Sequence, residues 1–274
     1  MTKQIFYSVF TITLIMGVFH NGLSAQKGQE VGGYIGAAHY FGDLNTDYSL
    51  NNPGPAFGIV VRQNFNERVS LTGSLNYSRL SASDEDAQNN FERSRNLSFF
   101  SNAYDASLSL EFNFFTYIHG DRRYYYTPYA SMGIAVAKFN PRAVLDGTTY
   151  NLKDFNTEGQ DGYGTVSPGL AFAVGFKWDL SYRWSFNVGL KVRRLSTDYL
   201  DDVSTEYPDI NSLQGGPTGI AAQLSDRSGI IDFATTGKQR GNSLNNDSYV
   251  IAHISIVRFF TQLECPKVSK IQGF

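Results

Sequence analysis

The run Tyr104-Asp105-Ala106-Ser107-Leu108-Ser109-Leu110-Glu111-Phe112-Asn113-Phe114 sorts into two faces of an extended chain. Tyr104, Ala106, Leu108, Leu110, Phe112 and Phe114 fall on one side, and Asp105, Ser107, Ser109, Glu111 and Asn113 on the other. This period of two is that of a β-strand; a helix would scatter both sets around its circumference. Residues 170–180 repeat it, with Leu170, Phe172, Val174, Phe176, Trp178 and Leu180 opposing Ala171, Ala173, Gly175, Lys177 and Asp179. So do residues 184–193, where Trp184, Phe186, Val188, Leu190 and Val192 oppose Ser185, Asn187, Gly189, Lys191 and Arg193. Each run spans about 10 residues, the length a tilted strand needs to cross a bilayer.

Weaker alternation marks 57–64, 69–77, 129–137 and 250–260, and a Gly-rich run fills 31–42, giving eight segments. In the last of them the phase slips near Val257 before Phe259 and Phe260. The charged residues Arg62, Asp105, Glu111, Lys177, Lys191, Arg193 and His253 lie on the small-residue face. A soluble barrel points its large apolar residues inward; here they sit opposite the charges, as they do when the outer wall meets lipid and the interior is polar. The expected fold is therefore an all-β, eight-stranded antiparallel transmembrane β-barrel. Its interior is narrow enough for side chains to fill, with Asp105 and Glu111 paired to Arg62, Lys177, Lys191 or Arg193, so no pore is expected.

Connections between the segments alternate in length. Those at 64–68, 117–126 and 179–183 are short or moderate, whereas 43–55, 81–101, 140–168 and 196–247 are long. An even strand number puts all long loops at one end, the extracellular one in outer-membrane barrels, and both termini in the periplasm. Before the first strand, Lys3, an apolar run over 5–19 and Leu23-Ser24-Ala25 read as a signal peptide spanning 1–25, too short in its apolar part to be a membrane span. The barrel is then expected over 26–260, with a periplasmic tail over 261–274.

Composition excludes several functions. Lys and Arg number 23 against 25 Asp and Glu, so no basic field invites nucleic acid. The four histidines are scattered, and no nucleophile, base and orienting group gather at one rim. His253 and Ser255 share a face, but mid-strand; no enzymatic activity and no cofactor are expected. Asp198, Asp201 and Asp202 form an oxygen-rich run that could hold Ca²⁺, though its spacing is not that of an EF-hand, and a solvated turn or carboxylates accepting from Arg227 and backbone amides would look the same. The tail carries the sole cysteine, Cys265, followed by Pro266; an odd cysteine in an exported chain raises an intermolecular bond, while a frayed terminus is the plain alternative.

Several runs taken in order resemble one family. They are Tyr40-Phe41-Gly42-Asp43-Leu44-Asn45, Arg95-Asn96-Leu97-Ser98-Phe99, Phe112-Asn113-Phe114-Phe115, Thr127-Pro128-Tyr129, Thr157-Glu158-Gly159-Gln160, Thr197-Asp198-Tyr199-Leu200-Asp201-Asp202-Val203-Ser204 and Asp226-Arg227-Ser228. Together they resemble the PorG-like outer-membrane barrels of Bacteroidota. The resemblance implies a component of the type IX secretion and gliding machinery: an anchor or assembly factor for a periplasmic ring made of a lipoprotein and its partner, embedded in outer-membrane lipid. The turn carrying Arg122 and Arg123 and the tail around Cys265 and Pro266 would form the periplasmic contact. A stand-alone barrel whose surface loops bind a ligand or another cell is the competing expectation.

Overall fold

The computed structural model describes residues 28–261; the expected signal peptide over 1–25 and the tail with Cys265 and Pro266 lie outside the described residues. Eight long strands form the wall: β1 (Gly28–Phe41), β2 (Gly54–Asn64), β3 (Val69–Ser83), β4 (Ser98–Asn113), β5 (Tyr126–Lys138), β8 (Val166–Ser181), β9 (Trp184–Leu195) and β10 (Ser248–Thr261). All neighbours are antiparallel, in the order β3-β2-β1-β10-β9-β8-β5-β4, and β3 pairs with β4 to close the cylinder. Closure removes every edge, which is what a sheet needs to sit in hydrocarbon with its backbone groups satisfied. Among the described residues no helix is long and apolar enough to span a membrane.

Outward side chains make an apolar belt: Ile35, Phe57, Ile59, Leu75, Leu108, Leu110, Met132, Ile134, Val174, Leu190, Ile254 and Ile256 are all exposed. Near the short turns it ends in Phe112, Phe114, Tyr126, Trp178, Trp184 and Phe260, the aromatic girdle expected at a bilayer interface. The fold is thus an eight-stranded transmembrane β-barrel with short turns at one end and long loops at the other. Gly28 pairs with Thr261, so both ends of the cylinder's chain emerge beside the short turns.

Two expectations need correction. The strands run farther toward the long loops than the alternation indicated: β4 starts at Ser98 and β3 continues to Ser83. Above the belt the faces exchange character, with Leu80, Ala82, Phe99 and Ala103 pointing inward into an apolar upper core and Arg79 and Asn102 outward. The phase slip near Val257 is the same effect at the other end. β10 keeps its register with β1 through Thr261, and Val257 and Phe259 simply point inward to pack the base while Arg258 points out.

The long loops fold into a cap. It contains a hairpin, β6 (Pro141–Leu145) and β7 (Thr148–Asn151), docked on β4 by the Phe100–Arg142 pairing, and two short helices, α1 (Asn90–Arg95) and α2 (Ile220–Ser225). Asp146 and Gly147 both have positive φ, 49° and 77°, the two-residue turn that Asp-Gly favours. Leu97, Phe139, Leu152, Leu200, Val203 and Leu224 join Tyr40, Leu195, Tyr249 and Ile251 from the barrel in one hydrophobic core.

Candidate functional site

Three polar layers stack along the axis. The middle one is the lumen, where the period-two pattern puts Arg62, Asp105, Glu111, Lys177, Lys191, Arg193 and His253 inside, all buried. Arg62 bridges Glu30 and Glu111, with its Nε 2.8 Å from Glu111 Oε1. Lys177 also donates to Glu111, and to Asn113 at 2.9 Å. A second group centres on Asp105, which accepts from Arg193 at 2.9 Å, Asn76 at 2.6 Å and Tyr249 at 2.9 Å. Among the described residues Lys191 has no carboxylate partner; its Nζ donates to Asn76 at 3.3 Å and lies 3.8 Å from the centre of the Tyr34 ring. The cavity left inside is about 40 Å³, room for about three waters and far from an aqueous channel. His253 Nδ1 has no hydrogen-bond partner and no bond joins it to Ser255 among the described residues, so these two do not form an activated pair.

The base is closed by the β4–β5 turn. His119 enters from it, with Nε2 3.1 Å from Glu30 Oε1, Nδ1 2.9 Å from Asp179 Oδ1, and its ring stacked on Phe259 at 4.1 Å. Burial opposes charge on this ring, but the bonds to Asp179 and Glu30 outweigh it and raise its pKa. Sequence reasoning missed His119 because its partners lie about 60 and 89 residues away. Arg122 and Arg123 are exposed at the tip of the same turn. A raised histidine contributes stability that is full below its unfolded pKa, about 6.5, and lost as pH rises through the folded value. His119→Gln should therefore free the turn near neutral pH, read as faster tryptic cleavage at Arg122 and Arg123; unchanged cleavage at pH 6 would refute the latch.

The cap holds the third layer, and five of the seven runs quoted above lie there, whereas 112–115 and 127–129 meet each other at the base. Arg240 donates to Glu158 Oε1 at 2.8 Å and to the Asp202 carbonyl at 2.7 Å. Glu158 also accepts from the backbone of Ser204 and Thr205. Arg95 grips Asp84 and donates to the Asp43 carbonyl at 2.8 Å. Asp202 accepts from Thr157 and Tyr163 at 2.5 Å each. Gly42 has no room for a side chain, since a Cβ would overlap Asp247 Oδ1 and Tyr40 Oη. Arg227, one of the partners the sequence offered these carboxylates, donates to Ser98.

Seven buried carboxylates in the cap (Asp43, Asp84, Glu158, Asp198, Asp201, Asp202 and Asp247) face two buried guanidiniums, Arg95 and Arg240. Tyr40 Oη lies 2.6 Å from Asp201 and 2.7 Å from Asp247; one phenol proton serves one of them, so the other carboxyl carries its own proton. Burial raises the pKa of both, with repulsion from Asp247 and Asp43 adding at Asp201 and repulsion from Asp198 and Asp43 adding at Asp247. Burial pushes Asp43 and Asp202 up to about 6. Asp198 is 8% exposed, neither of its oxygens has a hydrogen-bond partner among the described residues, and burial beside Asp43 and Glu158 pushes it up to about 7. Asp201 and Asp202 spend their oxygens on Tyr40, Val203, Thr157 and Tyr163, and among the described residues no three acidic or histidine side chains stand in metal-ligand geometry.

Carboxyls raised above their unfolded pKa contribute stability that is full below about pH 4 and lost as pH rises through the folded values, here about 6 to 7. The cap should melt at lower temperature at pH 8 than at pH 5. Near-UV circular dichroism of the Tyr163–Tyr199 stack, 4.7 Å between centres, reports it. Asp198→Asn should narrow the difference; equal melting of the wild type at both pH values would overturn the assignment.

A family model described as a domain of unknown function, DUF6089, matches residues 4–158, more than half of the chain. The chain belongs to the DUF6089 family. No curated protein matches this DUF6089 chain. Among solved structures, the N-terminal β-barrel domain of Pseudomonas aeruginosa OprF is similar at 11% identity, covering 86% of this chain and 100% of that one, with a TM-score of 0.40. Pseudomonas aeruginosa OprG is similar at 11% identity, over 88% of this chain and 99% of that one, with a TM-score of 0.42. Yersinia pestis Ail, the attachment invasion locus protein, is similar at 10% identity, over 86% and 100%, with a TM-score of 0.42.

Proposed function

We propose that this barrel is an exported outer-membrane protein, with its signal peptide over 1–25 removed and both termini in the periplasm. In this reading it is a non-conducting anchor or assembly component of the type IX secretion and gliding machinery. The observation that carries the reading is the sealed axis: a paired-ion lumen, a latched base and a folded cap leave a rigid membrane plug and, among the described residues, no conduit. Of the ordered runs that resemble the PorG-like barrels, 40–45, 95–99, 157–160 and 197–204 meet in that cap, which supports these four being one structural signature. The partners are outer-membrane lipid around the belt and a periplasmic ring lipoprotein with its companion, reached through Arg122, Arg123 and the tail 261–274 with Cys265 and Pro266.

Tagged barrel purified from gently solubilised membranes should bring ring proteins with it, and deletion of the gene should stop secretion of folded cargo. A barrel that purifies alone from cells with intact secretion would reject the assignment. The competing reading, a surface-binding barrel, draws on the exposed Ile230, Ile231 and Leu244 of the cap and predicts intact secretion with altered surface binding instead.

A further inference from the structure

The cap overhangs one side of the outer wall. Along the rim, Phe41, Ser248, Arg194 and Leu170 pair successively across β1, β10, β9 and β8, and one row lower Val192 pairs with Phe172. Between this wall and the loops lies a cavity of about 720 Å³, lined by Phe41, Phe172, Val192 and Arg194 from the wall and by Tyr48 and Asn245 from the loops. Its volume falls in the range of sites that hold a small molecule, about 300–1,000 Å³. The barrel-wall floor is apolar at Phe41, Phe172 and Val192, while the loop side is polar, with Asn45, Thr46, Asn89, Gln239 and Asn242. Arg194 at its edge is exposed and makes no side-chain hydrogen bond or ion pair among the described residues. At the far end, Glu92 accepts from Thr46 and burial raises its pKa, which weakens its opposition to an anion.

The loops beside the cavity carry large apolar side chains turned outward: Tyr48 is 74% exposed, Leu50 63% and Leu244 89%. Water makes such exposure unfavourable, whereas the headgroup and acyl boundary of a bilayer accommodates it. An apolar floor, a free guanidinium at headgroup height and greasy flanks match an amphiphile with an acyl chain and a phosphate, because guanidinium binds phosphate through paired, charge-assisted hydrogen bonds.

We propose that this lateral groove seats one anionic, phosphate-bearing lipid of the outer leaflet, its acyl chain on Phe172 and Val192 and its phosphate at Arg194. The proposal rests on the reading that the loop end of the barrel faces the outer leaflet. Arg79 and Lys138 are outward cations near the same rim, on β3 and β5, and serve as controls away from the groove.

The test uses the full mature chain in nanodiscs containing equal amounts of phosphatidylglycerol and phosphatidylcholine, with retained lipid counted by native mass spectrometry. The wild type should keep one phosphatidylglycerol in at least about fivefold excess over phosphatidylcholine. Arg194→Gln should bring the ratio near one, while Arg79→Gln and Lys138→Gln leave it unchanged. Val192→Trp, which fills the floor with Arg194 intact, should lose the bound lipid. A wild type with no preference, an Arg194→Gln or Val192→Trp protein that keeps it, or controls that lose it equally would each overturn the site. Heat-modifiable migration of every variant is recorded in parallel, so a chain that never forms a membrane-inserted barrel marks failure of the underlying reading instead.

Discussion

Glu111→Ala should destabilise the barrel by about 3–5 kcal/mol, the cost of removing one member of a buried ionic group and leaving its partners uncompensated. Glu111 is the hinge of the lumen network, shared by Arg62 and Lys177. Without it Arg62 keeps Glu30, but Lys177 retains, among the described residues, only the Asn113 amide oxygen as a hydrogen-bond partner, beside the Tyr117 and Tyr129 rings, in a site closed to solvent. Low dielectric makes that unpaired ammonium costly. Glu111→Ala combined with Lys177→Met should recover part of the loss, because the stranded charge goes with its partner. Urea midpoints of the folded barrel in detergent measure both. A loss under about 1 kcal/mol would mean that water screens the lumen, as it does an exposed pair.

Arg240→Ala should have an effect of similar size, about 3–5 kcal/mol by the same principle, confined to the cap. It removes the donor to Glu158, to the Asp202 carbonyl and to Ser225 O, and so weakens the joint between the segments 140–168 and 196–247, which then rests on the bonds of Glu158 to Ser204 and Thr205 and of Asp202 to Thr157 and Tyr163. The cap already holds more carboxylates than cations, so losing one of its two guanidiniums deepens the imbalance. The expected result is a protein whose loops are cut quickly by protease while the strands still migrate as a folded, heat-modifiable barrel. Loss of the barrel along with the cap would show that the two layers unfold as one unit.

These two networks differ in how far the sequence announces them. The lumen follows from local alternation: once Asp105 and Glu111 share a face with the small residues of β4, they must point inward, and cations at matching heights on β2, β8 and β9 meet them. The strand ends were less legible because alternation records two faces without saying which is buried. Within the bilayer the outward face is apolar; at Leu80 and Phe99 the inward one is, and at Val257 and Phe259 it is again. A rule that equates apolar with outward therefore stops at the belt and misreads the base. The cap was hidden for another reason. Arg240 meets Glu158 across 82 positions and Tyr40 meets Asp247 across 207, separations at which no spacing rule operates. Only its Asp146-Gly147 hairpin carried a local signal, in the turn chemistry of that dipeptide.

The seam between β1 and β10 joins the earliest part of the cylinder to the latest. Until Ser248–Thr261 arrives, β1 and β9 each present an unsatisfied row of amides and carbonyls, which in hydrocarbon costs several kcal/mol per group. Insertion is consequently an all-at-once event governed by one long-range closure, slow by its nature. A chain cut short before Ser248 would be left as an open sheet with two adhesive edges.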